Sequence, residues 1–334
     1  MATWMPPGTV LLGNDCPLPL DAPFTLAVAA TLGVSKRTMR TLVSQGLVRR
    51  VGQGVYAVAQ APNTIEFRAA ALNLVVSTDA VITDRTAAWL HGIDLLPRSQ
   101  QSLMPPIQAF LTPGNRSIRP ELLSGERMLS KRDVMDVHGL SVTTPLRTAC
   151  DLGRFLWRYD ALAALDQFLR LGVSHEELLE EVSRFKGYRG VIQLRYLAPI
   201  ADPRAESVAE SALRLHWYDA CLPPPEPQWW VFNDLGVGVY RLDIALPEAR
   251  FGAEYNGEEF HSSEEDRAAD EVRLDWLETQ RSWHIEVFDK SDVYAPDGAA
   301  VPRLVNGLII ARRKLALPTS YPTLRRHKVP GRPV

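Results

Sequence analysis

Residues 241–261, with the sequence RLDIALPEARFGAEYNGEEFH, constrain the fold more than any other part of the chain. Two short runs, at 239–245 and 251–256, have strand character, and a proline-containing turn separates them. A hairpin through this turn places Asp243 about opposite Glu254, and directly opposed strand residues have Cβ atoms only ~5 Å apart. Because two carboxylates at that separation repel each other, the sequence predicts that a cation lies between them.

Two further polar residues belong to the same stretch. Asn256 shares a strand face with Glu254 because side chains alternate along a strand, and His261 follows shortly after. Ligation by a few oxygen atoms suits Mg²⁺, which keeps several waters and prefers phosphate as a partner. The sequence therefore predicts a Mg²⁺ or Mn²⁺ site, and the alternative is an exposed hairpin with ordinary surface charges.

The charges of the chain are unevenly distributed. Residues 22–65 contain five Lys or Arg residues and no acid, and residues 298–334 contain eight and no acid. Residues 254–297 contain fourteen Asp or Glu residues against four Lys or Arg. Basic ends around an acidic middle favour a polyanionic partner with a cation site between them.

Length and composition limit the class of protein. A chain of 334 residues predicts two or three domains, and a hydrophobic share of 46% is that of an ordinary globular protein. No apolar run is long enough to span a membrane, so no membrane partner is expected. Three widely separated cysteines and the lack of a signal peptide pattern predict a cytoplasmic protein.

The pattern of residues 23–58 predicts a winged helix-turn-helix. A short apolar helix precedes Gly33, Ser35 caps a basic second helix, and Gly46 ends that helix. Met39, Leu42 and Val43 are expected on its buried side, and two strands around a Gly52–Gly54 turn follow as the wing. Basic and hydroxyl residues near the start of such a helix suit the major groove of DNA. The predicted DNA-binding residues are Ser35, Lys36, Arg37, Arg40, Thr41, Arg49 and Arg50.

Two alternatives to DNA binding remain for this segment. One is a small helical domain with a solvated basic face, and the other is a wing that contacts protein. RNA binding is a weaker interpretation, because the chain lacks the aromatic platforms of common RNA modules.

The sequence predicts an α+β fold in three domains. Residues 1–62 form the winged helix, residues 63–200 a helical linking domain with a small sheet, and residues 201–334 a third domain with a basic tail. Short alternating runs at 106–142 predict that the small sheet is antiparallel. The linking domain contains no evident chemistry.

Two stretches resemble known families. The segment GVSKRTMRTLVSQGLVRRVGQGVYAV resembles the N-terminal winged helix of AbiEi-type abortive-infection antitoxins, and TDRTAAWLHGI and TTPLRTACDL resemble the next block of that family. Residues 204–295 resemble a very-short-patch-repair-like endonuclease domain of the PD-(D/E)XK fold. The matching motifs of this second stretch are SVAES, RLDIALPEARFGAEYNG, DRAADEVRLDWL and SWHIEVF.

The resemblance implies roles for individual residues. Asp243 and Glu254 are the implied metal ligands, and Glu210 in SVAES is a further acid that aids the metal or its water. Gln228, His261, Asp270 and Arg273 occupy positions similar to those that the family keeps near the site. The sequence departs from the family at Asn256, where the family carries Lys or Asp. This departure matters because an amide can neither accept a proton from water nor carry charge. His261 is the candidate for that proton transfer.

Two functions follow as expectations. The first is a metal-dependent endonuclease or nickase acting on double-stranded DNA, with Glu210, Asp243, Glu254, Asn256 and His261 as the catalytic set. The second is an AbiEi-like antitoxin that represses its own promoter, has a toxin partner and retains an inactive nuclease fold.

Overall fold

The computed structural model of the protein describes Trp4 and residues 8–95, 103–111, 128–257 and 264–321. The chain is a mixed α+β protein with helices and several sheets. It divides into two compact units, Met1–Leu152 and Gly153–Val334. The division into three domains at residues 62 and 200 stays a prediction.

The first unit begins with two short helices and a three-stranded antiparallel sheet in the order β1-β3-β2. Ser35 Oγ accepts a hydrogen bond from Thr38 N at 3.1 Å and thereby caps α2. Gly33, at φ +80°, provides the left-handed turn before this cap. The elements are β1 Phe24–Thr25, α1 Leu26–Thr31, α2 Lys36–Ser44, β2 Val48–Gly52 and β3 Val55–Val58.

One side of α2 is packed into the core of this unit. Met39 and Leu42 are buried and belong to the same cluster as Phe24, Val48 and Val55. The prediction that Val43 is buried is wrong, because 40% of that residue is exposed. Val43 follows Leu42 by one residue, which is about 100° around the helix, so it lies at the margin of the buried side.

The remainder of the first unit contains a four-stranded sheet in the order β5-β4-β7-β6. The predicted antiparallel arrangement is only partly correct, because β4 and β7 are parallel while the β4–β5 and β6–β7 pairs are antiparallel. A helix between β4 and the later strands makes the parallel pairing possible. The elements are α3 Ile65–Asn73, β4 Ala80–Ile82, α4 Asp84–Leu90, β5 Ala109–Leu111, β6 Val134–Val137 and β7 Leu140–Thr143, and α5 Pro145–Phe155 begins in this unit and ends in the second.

The second unit combines a helical part with a mixed sheet in the order β11-β10-β9-β8. Strands β8, β9 and β10 are antiparallel neighbours, and β11 runs parallel to β10. The helices are α6 Arg158–Arg170, α7 His175–Val182, α8 Val191–Leu197, α9 Val208–Asp219, α10 Glu264–Asp275, α11 Lys290–Tyr294 and α12 Ala300–Lys314. The strands are β8 Glu226–Phe232, β9 Gly238–Leu246, β10 Phe251–Tyr255 and β11 His284–Phe288.

Helices α9 and α12 pack on this sheet. Trp217 of α9 stacks on Phe251 of β10 with ring centroids 5.1 Å apart, and Leu304 and Leu308 of α12 belong to the same cluster. Helix α10 continues as a π-helical turn over Trp276–Gln280. No helix among the residues placed in the structure has both the length and the apolar character needed to cross a bilayer.

Candidate functional site

The exposed side of α2 carries the predicted DNA-binding residues of the first unit. Ser35, Lys36, Arg37 and Arg40 are exposed and Thr41 is half-buried. Within the described part of the chain, the three cations among them form no ion pair. The helix therefore presents unneutralised positive charge beside hydroxyl groups, and its opposite side is fixed in the core.

The two arginines of β2 have different environments. Arg49 is half-buried, its Nη2 donates to Ala61 O at 3.3 Å, and its guanidinium lies 5.3 Å from the ring of Phe67. Burial lowers the pKa of Arg49. Arg50 is exposed, and its Nε donates to Gly52 O at 3.1 Å. Because neighbouring residues of a strand point to opposite faces, Arg50 is the better placed of the two to meet a phosphate.

The predicted carboxylate pair lies on β9 and β10 of the second unit. The register pairs Ala253 with Ile244, so the next positions along the two strands are Glu254 and Asp243. Asp243 Oδ2 accepts a hydrogen bond from Tyr255 N at 2.8 Å. Burial is the largest cause that raises the pKa of Asp243, the negative charges of Glu210 and Glu254 contribute as well, and together they bring it to about 7. The three carboxylates therefore interact electrostatically.

Glu210 lies in the first turn of α9, which Ser207 caps. Its Oε2 accepts hydrogen bonds from Glu206 N at 2.8 Å and from Gln228 Nε2 at 2.7 Å. Gln228 has φ +55°, a value that is uncommon for a residue other than glycine. The pairing of β8 with β9 omits this residue, since Pro227 pairs with Ile244 and the next pair is Trp229 with Leu242. The irregular backbone directs the Gln228 amide to Glu210.

Glu254 is bound by an arginine of α10. Arg273 Nη1 and Nη2 donate to Glu254 Oε1 and Oε2, each at 2.7 Å, in a bidentate ion pair. Arg273 Nε also lies 3.4 Å from Asp270 Oδ1. Glu254 is only 7% exposed, so its charge requires a partner inside the protein. The sequence predicts Arg273 near the site but does not predict this pairing, because the two partners are nineteen positions apart and only the fold brings them together.

The arrangement does not fit a divalent cation while Arg273 is in place. Both Glu254 oxygens, one Asp243 oxygen and one Glu210 oxygen already accept N–H hydrogen bonds. No three His, Cys, Asp or Glu side chains of the described residues converge to hold a metal. Asn256 N donates to Phe288 O at 2.8 Å, and His261 lies outside the described residues. The catalytic and metal-binding roles predicted for these side chains stay predictions.

Comparisons with known proteins identify relatives of the chain. Residues 79–200 match the model of the AbiEi antitoxin C-terminal domain, and the match runs from β4 to the end of the turn after α8. Two Mycobacterium tuberculosis proteins, "Uncharacterized protein MT2308" of strain CDC 1551 / Oshkosh and "Uncharacterized protein Rv2248" of strain ATCC 25618 / H37Rv, are each 34% identical over 283 residues. The aligned region covers 84% of this chain and 99% of each mycobacterial protein.

Proposed function

Because the chain belongs to the family that contains the mycobacterial proteins MT2308 and Rv2248, and carries an AbiEi antitoxin C-terminal domain at residues 79–200, we propose that it is a DNA-binding regulator of antitoxin type. In this proposal residues 23–58 act as a winged helix that reads duplex DNA at the protein's own promoter. Helix α2 enters the major groove, and Arg50 of the hairpin contacts a phosphate.

The observation that carries the proposal is the exposed basic side of α2. Lys36, Arg37 and Arg40 lie on the solvent side of a helix whose other side is packed in the core. A rigidly held helix with free cations can make phosphate and base-edge contacts without first breaking internal ion pairs. The capped turn before α2 presents the start of the helix, where groove contacts are usually made.

The experiment is a fluorescence anisotropy titration with duplex DNA from the region upstream of the gene, in EDTA. The Arg37→Ala, Arg40→Ala double variant should bind at least about tenfold more weakly, since each lost contact costs about 1–3 kcal/mol. A Lys186→Ala, Lys290→Ala variant removes two exposed cations elsewhere and should bind as the wild type does. Equal affinity of the wild type and the Arg37, Arg40 variant would rule out α2 as the recognition helix.

A toxin is the protein partner that this proposal implies. The antitoxin domain carries the inference, and the protein would act in the cytoplasm, as its separated cysteines also predict. Co-purification of the tagged chain with the product of the neighbouring gene tests it. Recovery of the chain without that product, under conditions in which both are expressed, would contradict it.

A metal-dependent DNA endonuclease is the second candidate function. The observation that favours it is the buried carboxylate of Asp243, whose pKa burial and the charges of Glu210 and Glu254 raise to about 7. Clustered acids with perturbed pKa values occur at catalytic sites more often than elsewhere, although structural ion pairs also produce them. The irregular backbone at Gln228, which supports Glu210, is a second feature of this kind.

Conversion of supercoiled plasmid in the presence of Mg²⁺ or Mn²⁺ tests the second candidate. Nicking or linearisation should appear with the wild type and disappear with Glu254→Ala and Asp243→Ala. Equal conversion by the wild type and both variants would assign the activity to a contaminant and leave the regulator as the function.

A further inference from the structure

We propose that Arg273 is a built-in cation that takes the place of a metal ion in the carboxylate cluster. The cluster consists of Glu210, Asp243 and Glu254. The inference rests on the same acids as the second candidate function, but it concerns what balances their charge. It does not depend on whether residues 23–58 bind DNA.

The first support is the geometry of the ion pair. Both terminal nitrogens of Arg273 donate to the two oxygens of Glu254 at 2.7 Å, so the planar guanidinium satisfies the carboxylate along one whole edge. The side chains are 22% and 10% exposed for Arg273 and Glu254. An ion pair with this geometry and burial differs from a loose surface contact, because neither group can exchange its partner for water without a cost.

The second support is the way in which α10 holds Arg273. Leu277 is fully buried against Val231, Leu242 and Trp283, and it anchors the π-helical turn that continues α10. Arg273 precedes Leu277 by four residues, which places the two on the same side of the helix. Asp270 lies one turn earlier in the helix, and its Oδ1 is 3.4 Å from Arg273 Nε, so it helps to orient the guanidinium. The arginine is therefore positioned by its own helix as well as by Glu254.

The third support is the state of the remaining acids. Asp243 accepts a hydrogen bond from Tyr255 N, and Glu210 accepts two, from Glu206 N and Gln228 Nε2. Amide donors and one guanidinium thus satisfy carboxylate oxygens that a divalent cation and its waters would otherwise contact.

Removal of the guanidinium should open the cluster to a cation. In the Arg273→Ala variant, Glu254 keeps its buried carboxylate and loses both donors, which leaves an uncompensated charge beside Asp243. A divalent ion restores that balance with two or more oxygens. We expect wild-type protein to bind Mn²⁺ weakly or not at all, and the variant to bind it at least about tenfold more tightly.

The test measures binding of Mn²⁺ to the full chain by electron paramagnetic resonance of the free ion, together with thermal unfolding. Arg273→Ala should unfold at a lower temperature than the wild type in EDTA, and Mn²⁺ should return part of the lost stability. The matched control is Arg184→Ala, which breaks a 2.7 Å pair with Glu181 whose side chains are 28% and 13% exposed. That variant should lose stability without gaining a Mn²⁺ site. Adding Asp243→Ala to Arg273→Ala should abolish the gain.

The outcomes separate this inference from the proposed functions. Stoichiometric Mn²⁺ binding by the wild type that Asp243→Ala removes would overturn the inference and support the endonuclease. A lack of Mn²⁺ binding by Arg273→Ala would overturn it as well. If Arg273→Ala does not fold, Arg273→Gln supplies the same comparison, since it removes the charge and keeps most of the side chain. Plasmid cleavage by wild-type protein that binds no metal would support the inference and would show that cleavage does not use a metal ion at these acids.

Discussion

The ion pair between Asp166 of α6 and Arg214 of α9 gives the strongest stability prediction. Both side chains are 1% exposed. Asp166 also accepts hydrogen bonds from Ser211 Oγ at 2.6 Å and from Asp202 N at 2.8 Å. Helix α9 carries Glu210, so this pair fixes the helix on which part of the carboxylate cluster depends.

We expect Asp166→Ala to destabilise the second unit by about 3–5 kcal/mol, because removal of one partner leaves the Arg214 charge buried and unpaired. With a urea dependence of about 2–3 kcal/mol per M, the unfolding midpoint should fall by about 1–2 M. The control is Arg204→Ala, whose side chain is 50% exposed and pairs with Asp202 and Glu226. Loss of an exposed pair costs about 0–1 kcal/mol.

Urea unfolding followed by tryptophan fluorescence and by far-ultraviolet circular dichroism measures the effect, since Trp217 of α9 is fully buried. A double variant, Asp166→Leu with Arg214→Met, provides a second comparison. It removes both charges and should recover more than half of the loss, because apolar pairs of similar volume often replace buried ion pairs without cost. A midpoint for Asp166→Ala equal to that of Arg204→Ala would refute the reasoning, as would a double variant no more stable than Asp166→Ala.

Three further predictions concern the two candidate sites. Asp243 has its pKa raised from 3.8 to about 7 in the folded protein, so the wild type should lose stability relative to Asp243→Asn as the pH rises from about 4 to about 8. A pKa shift of about three units corresponds to about 4 kcal/mol in the free energy of unfolding, and solvent screening at this half-buried group reduces it to about 1–2 kcal/mol. Urea titrations at the two pH values measure the difference. Ser35→Ala should lower the stability of the first unit by about 1 kcal/mol in thermal unfolding, because Thr38 N loses its acceptor, and Ser35→Gly should cost only a few tenths. Arg50→Ala should weaken DNA binding at unchanged melting temperature, whereas Arg49→Ala should lower the melting temperature; the reverse pattern would show that Arg49 is the residue facing DNA.

Local signals explain why α2 and its surroundings could be predicted from the sequence. Gly33, Ser35 and Gly46 each act on their immediate neighbours, and the structure has the turn, the cap and the end of the helix at those residues. Val43 was misjudged because periodicity gives the direction of a side chain but not the width of the surface that covers it. Val272 of α10 illustrates the same limit, because it is apolar and yet 67% of the residue is exposed.

Long-range pairings could be predicted only where strand geometry fixed them. The β9–β10 hairpin follows from two short runs and a turn, and its register then brings Asp243 and Glu254 to neighbouring positions. The partner of Glu254 does not follow from any such rule. The sequence between the two partners contains one other cation, Arg267, and spacing alone does not choose between Arg267 and Arg273.

Asn256 and the pairing of Arg273 with Glu254 both concern whether these acids form a metal site or only stabilise the fold. At Asn256 the sequence lacks the Lys or Asp that the resemblance to PD-(D/E)XK endonucleases predicts, so one expected charged group is missing. At Glu254 a guanidinium already balances the acid that the resemblance assigns to a metal. A protein that needed the acid only for its fold would keep Glu254 and Arg273 together, because loss of either one alone leaves a buried charge. Replacing both at once, by Leu and Met, should therefore spare the fold and leave DNA binding intact if the protein is a regulator, and this separates a structural ion pair from a catalytic one.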